Sequence, residues 1–439
     1  MPNALLDDLI DWLRIPSIST GGGDPGDLER AAQWVVERVR EAGGEAEAVR
    51  IGSGHPLVVG ELRSADASAP TVLIYGHYDV QSIGDAAAWV SPPFAPEVRD
   101  GRVYARGASD DKGNFLPLLR AACELARGGD LPVHVRVLVE GEEEAGSEAV
   151  TEWVRADERG ADAAIVYDSG MIDEATPAIT VGLRGVLMTH VMLRTAERDL
   201  HSGMYGGSVL NALHVLHGVL AAVLPGPDGR LRGELREGIA EPSEAERASW
   251  AQLPPGDRLI AEAGGRPVHP AAGAQYYERN GADASLDVNE IRAGDPRTVI
   301  PAVAHATLSI RIAPRQDPEA IAATAERLMR ERLPDGAELE MTWQVASPAL
   351  FDVHLPAIRL AAEAIERATG TAPVLERSGG SIPVVAELAA KRIPTIVSGF
   401  ALAGDGIHAP NESYRLESLA LGEKAGREIL LALAGLPRE

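Results

Sequence analysis

Over the first 170 residues, apolar runs of strand length alternate with stretches of helical periodicity, and the apolar runs stop at residues able to bind or catalyse. TVLIYGHYDVQ (71–81) is apolar up to Gly76, His77, Tyr78 and Asp79, the pattern of a buried strand that delivers an imidazole and a carboxylate to its C-terminal edge. VHVRVLVEGEEEAGS (133–147) reads as an alternating strand running into a cluster of glutamates, and ADAAIVYDSG (161–170) as another apolar strand with Asp168 at its end. Between the first two, ARGASDDKGN (105–114) sets Asp110 and Asp111 in a Gly-bounded turn, followed by the helix-like FLPLLRAACELA. Residues 4–14 and 27–42 also predict helices. Strands alternating with helices argue for an α/β sheet.

After Asp168 the pattern changes. The order becomes strand (184–195), helix (210–224), two strands (285–294 and 304–313), helix (317–333) and strand (337–346), the βαββαβ order of a split ferredoxin-like unit. Residues 225–284, rich in Pro, Gly and charge, read as an irregular excursion with one short helix at most. Amphipathic helix resumes at 354–370, and a strand at 391–400 leads into GDGIHAPNE (404–412), where His408 lies in a loop. His408 must rejoin the earlier ligands, so the βαββαβ unit, 184–350, is expected to be an insertion in a discontinuous catalytic domain of 1–183 and 351–439.

A chain of 439 residues exceeds what a single core usually supports, in keeping with two domains. The formal net charge of −24 repels phosphate backbones and anionic membrane surfaces, which argues against nucleic-acid and membrane roles. Cys123, the only cysteine, excludes an internal disulfide, and its apolar helical setting predicts an inert buried thiol suited to a reducing cytoplasm. MPNALLDDLIDWLRIPSIS carries acids where a secretory leader needs positive charge, and nowhere are there 18 consecutive apolar residues, so a soluble intracellular protein is expected. The Gly-rich spots at 21–23 and 379–380 lack the Lys-Ser/Thr of a phosphate loop.

His77, Asp110, Glu144, Asp168 and His408 each sit at the mouth of a strand or in a tight turn, and together they have the make-up of a two-metal site. A lone strand-end acid is ordinarily a solvated loop residue. Imidazoles combined with carboxylates suit zinc, or manganese or cobalt, and the absence of Cys from the set excludes a structural zinc finger. Chemistry alone leaves two choices open: which of Glu142, Glu143 and Glu144 is a ligand, and which of Asp110 and Asp111. His214 and His217 lie three apart on a helix without a carboxylate partner and read as structural, as do His134 and His190 in strand patterns. His55, His305 and His354 have no chemical neighbourhood.

The chain also carries GHYDVQ (76–81), DGRVYARGASDDKGN (100–114), EGEEEAGS (140–147), GLRG (182–185), DLHSGMYGG (199–207), TVIPAVAHATLSIRI (298–312), GGSIP (379–383) and GIHAPNE (406–412). In these runs it resembles the co-catalytic zinc exopeptidases that include carnosinase, cytosolic dipeptidases, aminoacylase and succinyl-diaminopimelate desuccinylase, with the carnosinase-type dipeptidases the nearest branch. The resemblance implies a mixed central sheet flanked by helices, an inserted lid and dimerisation domain, and two divalent ions per subunit. It assigns Asp110 as the bridge, His77 and Asp168 to one metal, and Glu144 and His408 to the other. Asp79 would orient His77, and a cis peptide would join Asp110 to Asp111. Glu143 would be the general base acting on a metal-bridged water, with Glu142 an extra acid. His201 would stabilise the oxyanion in the partner subunit's site of a homodimer, and Arg311 would bind the substrate carboxylate, supported by Ser381 and the Gly379–Gly380 backbone. Asn289 and Thr298 are weaker candidates for substrate contacts, and Arg184 weaker still. The expectation is a metallo-dipeptidase; the alternatives are an amidohydrolase of N-acyl amino acids and a catalytically silent binding protein.

Overall fold

The computed structural model describes residues 4–437, so the ends of the expected catalytic segments, 1–3 and 438–439, lie outside the described residues. The chain divides into two compact units: one runs to Val181, continues through Phe351–Glu376 and resumes from Ile382; the other comprises Gly182–Leu350 and Arg377–Ser381.

The larger unit is built on a mixed sheet. In it Glu45–Val49, Leu57–Leu62, His134–Glu140, Thr71–His77, Ala163–Tyr167, Thr395–Ser398 and Ala178–Leu183 lie side by side in that order. The four central strands, from His134–Glu140 to Thr395–Ser398, run parallel to one another, and antiparallel neighbours flank them. Parallel strands bring their C-terminal ends to one edge, where the crossover connections open a crevice. That edge therefore receives His77, the glutamates after Glu140, Asp168 and the loop leading to His408.

His134–Glu140 differs from the alternating strand that its sequence suggests. Apart from His134 it is buried throughout, because strands pair along both of its edges and both of its faces are covered. Helices supply that cover, chiefly Ala4–Leu13, Pro25–Glu41, Lys112–Gly128, Pro356–Thr369 and Leu416–Leu433. Leu9, Trp12, Val35, Phe115, Ile358 and Ile429 are among the side chains that pack with Val72, Ile74 and Ile165 in one core. Trp12 stacks on Trp34 with ring centroids 4.9 Å apart.

The inserted unit has its own core, in which Leu187, Leu193, Leu216, Leu308, Ile310 and Met329 meet. Its sheet runs Ser285–Ala293, Val303–Ile312, Gly185–Arg194, Glu338–Ala346, antiparallel throughout, with Ala212–Leu220 and Pro318–Arg330 as the two helices of the βαββαβ order. The excursion at 225–284 is more structured than its composition suggests and holds two short α-helices, Glu244–Trp250 and Gly256–Glu262. The first begins in a capping box: the Ser243 hydroxyl accepts from the Glu246 amide at 3.2 Å and the Glu246 carboxylate accepts from the Ser243 amide at 2.7 Å. Arg377–Ser381 belongs with this unit rather than with the segment 351–439 in which the sequence placed it. Arg377 forks onto buried Glu246 at 2.6 and 3.2 Å, and the Arg184 amide donates to the Ser378 carbonyl at 3.2 Å. None of the described helices is long and apolar enough to cross a membrane.

Candidate metal centre

Asp110 lies where the strand edge, the 105–111 turn and the His408 loop meet. Its Oδ1 is 3.0 Å from Nε2 of His77 and its Oδ2 is 2.9 Å from Nε2 of His408. Two groups of candidate ligands share it: His77, Asp110 and Asp168, and Asp110, Glu144 and His408, with the donor atoms of each group within 4.8 Å of one another. Neither group contains Asp111, Glu142 or Glu143. The bond from Asp110 to Asp111 is cis.

Asp79 organises both sides of the edge. The carbonyl of Asp79 faces Nδ1 of His77 at 3.0 Å, and its carboxylate accepts from the amides of Glu143 at 3.2 Å and Glu144 at 3.1 Å and from the Ser19 hydroxyl at 2.6 Å. One buried carboxylate thus holds the turn that presents the glutamates. A carbonyl can only accept, so Nδ1 carries the proton of a neutral His77, and its Nε2 lone pair points at carboxylate oxygens. At 3.0 Å the two lone pairs need a positive charge between them, a cation or, in its absence, a proton: burial opposes protonation, but hydrogen bonds with Asp110 and Asp79 raise His77 well above its usual range. Glu144 bonds through Oε2 to the Gln81 amide at 2.9 Å, while Oε1 lies 3.2 Å from His408 Nε2. The donor set fits divalent ions of the zinc, manganese or cobalt type.

The electrostatics carry the same message. Burial pushes the Glu143 carboxyl up to about 8, with Asp110, Glu140 and Glu144 adding to the rise. Burial and the neighbouring Glu143 also hold Asp168 well above the usual carboxylate range. Burial by itself would raise Asp110, yet hydrogen bonds with His408 and His77 pull it below that range. Those to Asp110 and Glu144 lift His408 to about 10. A site that must retain protons to balance its carboxylates has a place for positive charge.

Glu142, the extra acid, turns away from this cluster. It accepts from the amides of His55 at 2.6 Å and Ala149 at 3.3 Å and so ties the loop before Leu57 to the first turn of the helix Glu148–Ala156. The substrate-side candidates lie in the inserted unit. His201 ends the short strand Leu200–His201, paired with Val299 beside Thr298, whose carbonyl accepts from Ser202 at 3.0 Å. Asn289 occupies a bulge between Val288 and Glu290. Arg311 pairs in register with Ser285 and Val186, and the cation of Arg311 joins burial in lowering Arg184 to about 10. Gly380 donates its amide to the Ser378 hydroxyl at 3.1 Å, and Ser381 closes the same segment. Sequence reasoning passed over Glu412 and Asp405, two buried carboxylates in the His408 loop; their one trace is polar residues flanking a histidine in a Gly- and Pro-rich stretch.

The model of Peptidase family M20/M25/M40 matches residues 73–432. The chain belongs to this peptidase family. It is 28% identical to the Cys-Gly metallodipeptidase dug1 of Schizosaccharomyces pombe, over 93% of this chain and 91% of the relative. Identity to the cysteinylglycine-S-conjugate dipeptidase of Corynebacterium striatum is 27%, over 90% and 88%. Among solved structures, the M20 family metallo-carboxypeptidase Sso-CP2 of Sulfolobus solfataricus superposes with a TM-score of 0.88 at 26% identity, covering 99% of this chain and 100% of that one. Human carnosine dipeptidase 1 superposes with a TM-score of 0.78 at 24% identity, over 99% and 96%, and shares the fold.

Proposed function

We propose that this M20/M25/M40 family member is a metal-dependent dipeptidase that hydrolyses the peptide bond of dipeptides and releases a free C-terminal amino acid. The observation that carries this reading is Asp110, with one histidine on each carboxylate oxygen and Glu143 beside the ligand cluster but outside it. Two divalent ions, most suitably zinc, would be held here, one by His77, Asp110 and Asp168 and the other by Asp110, Glu144 and His408, with Asp110 common to both sets. The bound ions supply Lewis acidity, polarising the scissile carbonyl and acidifying water. Glu143 takes the proton of the attacking water and returns it to the leaving amine, a cycle suited to a carboxyl that burial has pushed up to about 8. Asp79 keeps His77 and the glutamate turn in register. In the inserted unit, His201 serves the oxyanion of a partner subunit's site in a homodimer, and Arg311, with Gly380 and Ser381, receives the substrate carboxylate. Asn289 and Thr298 are weaker candidates for contacts with the substrate on that side. A single cysteine with no partner suits a reducing compartment such as the cytoplasm.

The likeness to a metallo-carboxypeptidase over the whole chain favours a second reading, in which longer peptides with a free C-terminus are also cleaved. The test is amino-acid release by chelator-treated protein, with and without zinc, manganese or cobalt, from dipeptides, longer peptides and N-acyl amino acids. Metal-restored release from dipeptides is the expected result. Release from N-acyl amino acids alone moves the protein to the amidohydrolases, release from longer peptides selects the second reading, and silence with every metal defeats both peptidase readings.

A further inference from the structure

Glu412 lies outside both ligand groups, yet the turn that carries Asp110 is wrapped around it. It is fully buried. Oε2 accepts from Nη1 of Arg106 at 2.7 Å and from the Gly107 amide at 2.9 Å; Oε1 accepts from the amides of Ser109 at 2.8 Å and Asp110 at 3.0 Å. The Glu412 carbonyl accepts from the Ala105 amide at 3.1 Å. A second buried carboxylate reinforces the join: Asp405 accepts from the Ser109 hydroxyl at 3.0 Å, from the Leu402 amide at 2.8 Å and from the Arg102 guanidinium. Asn411 fastens the same loop outward, donating to the Ala88 carbonyl and accepting from the Val90 amide, both at 2.8 Å.

The His408 loop needs such fastening. His408 and Asn411 have φ of +61° and +66°, left-handed values that a non-glycine residue holds only when its surroundings over-determine them. A buried ion pair contributes little net stability, so the Arg106 contact alone would make Glu412 an ordinary core residue. Three of the four donors on its carboxylate, however, are main-chain amides of the Asp110 turn, and one is the amide of Asp110 itself.

We propose that Glu412 is a positioning residue of the metal centre: it fixes the Asp110 turn to the His408 loop, so that Oδ2 of Asp110 and Nε2 of His408 converge on one cation. This rests on the two-metal reading above and adds to it a residue that touches neither ion. The probe is zinc alone, titrated into chelator-stripped protein in competition with a chromophoric chelator. It is paired with hydrogen exchange at Gly107, Ser109 and Asp110 in the metal-free protein.

Glu412→Gln turns an NH2 group toward amide donors. The expected result is a folded protein, faster exchange at those three amides, and zinc affinity at one site reduced about 10- to 100-fold. Glu412→Asp, which keeps both oxygens on a shorter stem, is expected to lose less. Ile429→Val, a loss of one methyl from the same core, should lower the melting temperature and leave zinc affinity unchanged. Wild-type zinc affinity in folded Glu412→Gln overturns the proposal, as does an equal affinity loss in Ile429→Val. If Glu412→Gln does not fold, Glu412→Asp decides: reduced affinity in a folded protein supports the role and unchanged affinity overturns it. Wild-type protein that binds no zinc defeats the two-metal reading and this proposal with it, whereas two ions bound equally by wild type and variant defeat this proposal alone.

Discussion

Three consecutive glutamates of identical chemistry end in different places because the turn after Glu140 points them differently. Glu142 ties a loop to a helix start, Glu143 stays in the cluster without joining a ligand group, and Glu144 joins one. Nothing in the residue types separates them; the hydrogen bonds from the Glu143 and Glu144 amides to Asp79 do. Replacing Glu143 by Ala should therefore leave metal content intact while lowering kcat by a factor of about 100 to 10,000, as read by metal analysis alongside steady-state kinetics. Loss of metal from this variant would instead make Glu143 a ligand. Cys123 was legible from its apolar neighbours alone. It is buried and its thiol is pushed up to about 12, chiefly by desolvation, so almost none of it is thiolate at pH 8. The native protein should not react with a thiol reagent at that pH over an hour, and the denatured chain should react at once.

Among the elements, the central strands and the helix Lys112–Gly128 follow the apolar patterns that predicted them, with ends shifted by a few residues. Weakly marked elements escaped sequence reading: the short strand Ala178–Leu183, the helix Pro383–Ala390 and the long helix Leu416–Leu433. The last is recognisable in retrospect by Gly422 and Gly426, one turn apart, which let it lie close on Lys112–Gly128. A Cβ on Gly426 would stand 3.2 Å from Leu118 Cδ1 and 3.3 Å from its Cα, and one on Gly422 3.1 Å from Pro117 Cβ. Gly426→Val should cost about 1–3 kcal/mol in urea unfolding, since overpacking against backbone is poorly relieved. Gly76 is tighter still: a Cβ there would come within 2.3 Å of the Phe115 ring, one residue before His77. The close approach explains why this strand carries glycine beside its ligand.

On the scale of the whole molecule, the carboxylate cluster makes stability depend on metal and pH together. Glu143 sits at about 8 against an ordinary 4.5, and His408 at about 10 against 6.5, so the folded metal-free protein holds protons that the unfolded chain releases. For groups whose folded pKa is raised, the stabilisation is full below the unfolded pKa and is lost as pH rises through the folded one. The melting temperature of chelated protein should thus fall between pH 5 and pH 9. A divalent cation replaces those protons, so metal-loaded protein should show a much flatter profile, with about 2.7 kcal/mol gained when free metal is at 100 times Kd. Scanning calorimetry at matched ionic strength checks both, and parallel profiles with and without metal would contradict a cation site at this edge.

The sequence by itself determined what local patterning can encode: where the central strands lie, that they end in imidazole and carboxylate, that a βαββαβ unit interrupts the chain, and, through its motif runs, the peptidase family. Those properties depend on neighbours a few residues apart. The tertiary structure decided which distant residues meet. Asp110 and His408 are 298 positions apart, and only the parallel sheet order and the two buried carboxylates of the His408 loop bring them together. It also reassigned Arg377–Ser381 to the inserted unit through an ion pair spanning 131 residues. Contacts of that separation leave no periodicity behind, because the entropy of closing so long a loop is offset by the whole core rather than by any local stretch of chain.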